Sequence, residues 1–318
     1  MNKEITINYL PHGRFRYAPH FINEIIKVKD SVKDLIKINL MFSHPFNEEW
    51  QKMVDFLKNH GIYSEYFVID GGHYMNKIKT ASENSGKYAI KCDEEIFLNA
   101  KGWEYFLENS KVLENDENLL LAPIITNGIP TVDIFIEQFF DEKAKKEIHD
   151  LFLKVPFANE WGVDYSSLRK YVTEASEWIP DNFYEGIKQI NHHYKGVHPI
   201  RLSGEAQYYM VNYILNNFER FMEDKDYSIS EVNRPYHCNS MFLIKNETWK
   251  KIIYNQSLFR DDFDEVPLNL YRQYNNLKML FINNCFAVHP SYNTIDGKGF
   301  SYSHLSDAFF NHQYFIKN

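Results

Sequence analysis

The chain has 318 residues, with 35 Lys and Arg against 43 Asp and Glu, for a formal net charge of -8. That balance argues against a broad nucleic-acid-binding face, which needs clustered positive charge. Three widely separated cysteines, Cys92, Cys238 and Cys285, argue against a disulfide framework or a zinc site.

The 25 Phe and 22 Tyr suit a large aromatic core, and the length allows one big domain. The chain enters an alternating segment at once, has no secretory apolar region and contains no run of eighteen apolar residues. The expectation is a cytoplasmic protein without a transmembrane segment.

Residues 5–9 alternate with period two and are closed by Pro11-His12-Gly13-Arg14, a strand followed by a loop. A helix is predicted over 18–28, with Phe21, Ile22, Ile25 and Ile26 on one face. A strand follows over 35–42, then a helix over 47–60 with Trp50, Met53, Val54 and Leu57 at helical spacing and Gly61 as its C-terminal cap. A third strand is predicted over 63–69 and a helix over 76–84. The fourth strand, with Tyr88, Ile90 and Cys92 alternating, runs into three consecutive carboxylates, Asp93, Glu94 and Glu95. This alternation predicts an α/β fold with a parallel sheet whose strand ends share one edge.

Acids at the carboxyl edge of such a sheet suit a site for Mg2+ or Mn2+ and phosphate, because hard cations favour carboxylate oxygens and leave positions open for substrate phosphates. The alternative is that the three acids form a solvated turn and cap a helix over 99–109. Beyond a strand over 119–125, residues 127–234 read as a mostly helical insertion, with Trp161, Tyr165, Trp178 and Tyr184 as aromatics of a core or an acceptor platform. Sheet pattern returns at 237–244 and 280–289, with a helix over 247–254 between them. No internal repeat or linker divides the chain, so 1–318 reads as a single domain.

In this order the sequence resembles a nucleotide-sugar glycosyltransferase of the GT-A type, most similar to glycosyltransferase family 2. The opening strand with its Pro11–Arg14 loop resembles the family's donor-binding entry, and Asp93-Glu94-Glu95 sits where the family has its Asp-x-Asp metal motif. Cys238-Asn239-Ser240-Met241 is placed like the glycine-rich loop, and Asp264-Glu265 like the family's acidic pair. His289 is placed like a C-terminal histidine that reaches the metal. Three departures stand out: the triplet ends in Glu, residues 237–241 hold no glycine, and the acidic pair is inverted.

The resemblance implies a Rossmann-like, mixed and mostly parallel sheet flanked by helices. Residues 1–126 would be the nucleotide-sugar half and 235–318 the acceptor and catalytic half. It implies Glu265 as catalytic base with Asp264 beside it, and Asp93, Glu95 and His289 holding Mn2+ or Mg2+. Tyr9, Pro11, Arg14, Lys77, Asp93 and Ser240 would line the donor site. The implied reaction is inverting, metal-dependent transfer from a nucleoside-diphosphate sugar to a hydroxyl of a glycan, a lipid-linked sugar, a protein or a modified DNA base. A nucleotidyltransferase and a degenerate GT-A scaffold acting as a binding protein are the competing readings.

Overall fold

The computed structural model describes residues 3–11, 17–42, 48–69, 74–126, 128, 131–154, 200, 203–223, 225–232, 240–254, 265–290 and 309. Its centre is one eight-stranded sheet of order β3-β2-β1-β4-β7-β5-β8-β6. The strands are β1 (Ile5–Leu10), β2 (Ile36–Phe42), β3 (Tyr63–Val68), β4 (Tyr88–Asp93), β5 (Asn118–Ile125), β6 (Ser228–Glu231), β7 (Met241–Lys245) and β8 (Lys278–Ala287). Strands β1 to β4 pair in parallel, β7 is inserted antiparallel between β4 and β5, and β6 closes the edge antiparallel to β8. This is a mixed, mostly parallel sheet flanked by helices, as the GT-A resemblance implies.

The helices among the described residues are α1 (Ala18–Ile25), α2 (Asp30–Lys33), α3 (Glu48–Asn59), α4 (Tyr74–Glu83), α5 (Ala100–Glu108), α6 (Thr131–Phe139), α7 (Glu142–Leu153), α8 (Gly204–Asn216), α9 (Phe218–Met222), α10 (Asn246–Tyr254) and α11 (Glu265–Tyr274). Helix α3 ends because Gly61 adopts φ +81°, where a side chain would be strained. The predicted helix over 18–28 ends at Ile25, and α2 is a separate short helix that follows after a turn.

The inner strands of the sheet are buried on both faces, whereas edge strands β3 and β6 are largely exposed or half-buried. On one face Ile7, Tyr9, Ile90 and Cys92 pack with Phe21, Trp103 and Phe106 from α1 and α5. On the other, Leu10, Met41 and Ala89 pack with Ile78 of α4 and Trp249 of α10. A third cluster joins the carboxyl ends of β5 and β8 to α6–α9 through Phe135, Phe139, Phe221 and Phe286.

Two features lay beyond sequence pattern. Residues 228–231, placed in the helical insertion by sequence, form edge strand β6, held by Asn283 and Asn284 through Ser228, Ser230 and Asp226. Beside it, β8 carries three extra residues, since Pro123 pairs with Ile282 but Ile124 with Phe286. Asn284 takes φ +61° there, and an odd insertion reverses the alternation of a strand. Leu280 and Ile282 therefore face the α5 side, whereas Phe286 and Val288 face the α6 cluster.

Candidate active site

The site forms where four chain segments end at one edge. Register Tyr9↔Cys92 and Leu10↔Asp93 aligns the end of β1 with the end of β4. The backbone N–H of Asp93 donates to Ser240 O at 3.0 Å, which brings in the start of β7. The chain then turns, with Ile96 N donating to Asp93 O at 3.2 Å, and Phe97 and Val288 exchange two backbone hydrogen bonds of 2.9 and 2.8 Å. His289 follows directly, its N–H donating to the Thr126 hydroxyl at 3.3 Å. Asp93, Glu94, Glu95, Ser240, Pro11 and His289 thus belong to one edge, although they span nearly the whole chain.

The acidic turn does not cap the next helix. Asn99 does so, accepting from Gly102 N at 2.7 Å, which removes the alternative reading of the triplet as a helix cap. Nor is the turn solvated. Glu94 and Glu95 are 2% and 0% exposed, and the Asp93 side chain is 20% exposed with its Oδ1 buried.

Buried carboxylates need compensation, and this face of the sheet supplies two lysines. Lys91, two residues before Asp93 and so on the same face of β4, places Nζ 2.9 Å from Asp93 Oδ1 and 5.5 Å from the centroid of the Tyr74 ring. Lys77 of α4 donates from Nζ to Pro11 O at 2.6 Å. Both lysines are 1% exposed. Burial pulls the Lys77 ammonium down to about 8, against the opposing pull of Glu94 and Asp93.

Two residues expected in the donor site have other surroundings. Tyr9 is wholly buried, and its hydroxyl donates to Glu94 O at 2.8 Å. It braces the turn from within the core, and burial followed by Glu94 raises its pKa well above the ordinary value. Lys77, which the resemblance places in the donor site, ties the end of β1 to α4 through Pro11. The buried Cys92 thiol is raised by burial and is a packing residue.

Glu265 opens α11, whose last turn leads through 275–277 into the start of β8. Arg14, Asp264, Cys238, Asn239 and the aromatics Trp161, Tyr165, Trp178 and Tyr184 lie outside the described residues.

Lys91 was missed from sequence. The available signal was a lysine between Ile90 and Cys92 in an otherwise apolar buried strand, two residues before an aspartate.

No protein-family model matches the sequence, and no curated protein matches it. Solved structures with a similar chain course include a mannosyltransferase from Pyrobaculum calidifontis in complex with GDP-Man and Mn2+, at TM-score 0.47 and 8% identity over 91% of this chain and 57% of that one. GalNAc-T7 with UDP, GalNAc and Mn2+ gives TM-score 0.47 and 11% identity over 96% of this chain and 50% of that one. S. aureus TarS 1-349 with UDP-GlcNAc gives 0.40 and 9% over 98% and 67%. The chain spans between half and two thirds of the length of these three proteins.

Among the described residues no group of three or more His, Cys, Asp or Glu side chains is arranged to hold a metal. Asp93, Glu95 and His289 share an edge without forming a ready three-ligand cage. Mg2+ and Mn2+ need less than that, since one or two protein carboxylates suffice when phosphates and water complete the shell. Asp93, with Oδ1 buried beside Lys91 and the rest of its side chain partly exposed, fits that smaller role.

Proposed function

We propose that this chain is a nucleotide-sugar glycosyltransferase, acting on a nucleoside-diphosphate sugar at the carboxyl edge formed by β1, β4, β7 and β8. The observation that supports the reading most is the buried, braced acidic turn Asp93-Glu94-Glu95. It is tied to Tyr9 and Ser240 at once and clamped beyond it to the end of β8. So much hydrogen bonding to the backbone of a turn that carries three carboxylates, two of them buried, is a costly way to build a surface loop. It is a good way to hold charge at a fixed position.

In this reading Asp93 presents its exposed side to the donor diphosphate, with Glu95 and His289 flanking it and Pro11 and Ser240 bordering the nucleotide. A divalent cation, when bound, stabilises the charge that develops on the departing diphosphate. Glu265 takes the proton of the acceptor hydroxyl as its oxygen bonds to the anomeric carbon. The bond from that carbon to the phosphate oxygen breaks, and the nucleoside diphosphate leaves with the electron pair. A single displacement of this kind inverts the anomeric centre. The acceptor is a hydroxyl group of a glycan or lipid-linked sugar. The net charge of -8 gives no support to a nucleic-acid acceptor.

The test is a panel of UDP-, GDP-, ADP- and CMP-sugars with Mn2+ or Mg2+, read by melting shift and by slow donor hydrolysis in wild type and Asp93→Ala. One nucleotide should raise the melting temperature by mass action, and the shift should vanish in the variant. Release of nucleoside diphosphate supports sugar transfer, whereas pyrophosphate would assign a nucleotidyltransferase. Absence of any shift would leave the fold as a binding scaffold. Glu265→Gln should lower turnover by about 10^2 to 10^4 while donor binding persists. An active Glu265→Gln protein would remove the base from that residue.

A further inference from the structure

We propose that Lys91 is a built-in counter-ion that competes with a divalent cation for Asp93, so that the free protein binds Mn2+ or Mg2+ weakly and takes the cation up mainly together with a nucleoside diphosphate. This inference rests on the donor-site reading above and deepens it.

Three observations carry it. Lys91 Nζ lies 2.9 Å from Asp93 Oδ1, so one oxygen of the carboxylate already faces a positive charge. The lysine is 1% exposed and lies beneath the Tyr74 ring. Its ammonium therefore has no route to water without loss of packing, and it remains beside Asp93. A second ammonium, that of Lys77, acts on the same two acids, Asp93 and Glu94.

Lys91 faces Asp93, and the Lys77 ammonium acts on Asp93 and Glu94, so part of the negative charge that would attract a divalent cation is already offset. A hard cation is held by the charge and number of its oxygen ligands, and Lys91 lowers the charge that Asp93 can offer it. The diphosphate of a donor brings both. Cation and donor therefore reinforce each other's binding, a reciprocal coupling, and Lys91 sets how large that coupling is. Lys91 is a positioning residue here and touches no substrate.

The experiment is a Mn2+ titration of the folded protein followed by the electron paramagnetic resonance signal of free Mn2+, with and without UDP and GDP, for wild type, Lys91→Met and Lys91→Arg. Lys91→Gln takes the place of Lys91→Met if the latter does not fold. Wild type and Lys91→Arg should bind Mn2+ weakly alone and at least tenfold more tightly with the preferred nucleotide. Lys91→Met or Lys91→Gln should bind Mn2+ at least tenfold more tightly than wild type without nucleotide, with a smaller gain on adding it.

Equal Mn2+ affinity in wild type and the neutral variant, including no binding by either, overturns the inference. So does tight binding by wild type without nucleotide. A parallel titration of wild type with metal-free nucleotide sugar separates the two failures. If the nucleotide sugar binds while the lysine variants behave alike, the donor-site reading stands and the role of Lys91 falls. If no nucleotide sugar binds with or without metal, the donor site itself is lost.

Discussion

The two ends of β4 carry the same chemistry in opposite settings. At its amino end Lys87 lies 2.5 Å from Glu114, with both side chains about half exposed, and Glu114 also accepts from the Tyr88 hydroxyl. At its carboxyl end Lys91 meets Asp93 at 2.9 Å, with Lys91 wholly buried. Water and salt screen the first pair, and such pairs contribute little. The second holds a charge inside the fold, where removal of one partner strands the other. A short distance therefore says little about an ion pair until burial is known, and only the buried one adjoins the proposed donor site.

The largest expected effect is on turnover. Asp93→Ala should lower donor turnover by more than about 10^2, the scale of losing one fixed electrostatic group at a reacting centre, while Lys87→Ala leaves it unchanged. Steady-state rates on the donor identified by the panel check both. Equal losses from the two ends would erase the contrast.

Next comes stability. Lys91→Ala should destabilise the fold by about 3 kcal/mol, because a partly buried carboxylate loses its partner beside a new cavity. Urea unfolding measures it, and a cost comparable to that of an exposed lysine would show that water reaches the pair.

A smaller effect depends on pH. Burial lowers Lys77 to about 8, below its unfolded value near 10.4. Between these limits the unfolded chain binds more protons, so stability from this group rises with pH across the window, and the burial penalty is complete below pH 8. Wild type should therefore gain on Lys77→Met as pH goes from 8 to 10. Paired unfolding curves at those two values test the sign, and a constant difference would place Lys77 in a wetter setting.

The smallest effect belongs to the exposed end. Lys87→Ala should leave the melting temperature nearly unchanged, and what change there is should disappear at high salt. A large, salt-resistant loss would make the two ends equivalent.

Much of the fold was legible in the chain because its signals are local. Ile5, Ile7 and Tyr9 alternate at the period of a strand, Trp50, Met53, Val54 and Leu57 recur at the period of a helix, and Gly61 marks a cap. The acidic triplet was legible for the same reason, as polar residues that end an apolar run. Strand β6 was not, since Ser228–Glu231 has little apolar pattern and exists by pairing with β8. The three-residue bulge was not, because register belongs to two strands at once.

By itself the sequence determined the order of most strands and helices, the α/β class and the position of Asp93 at a strand end, all consequences of periodicity within a dozen residues. Only the tertiary structure decided what surrounds that aspartate. Tyr9 as a brace, Lys77 as a tie to Pro11 and Lys91 as a buried counter-ion arise from contacts between distant segments or from burial. A chain read residue by residue carries neither, because whether a charge is solvated depends on what the rest of the fold packs over it.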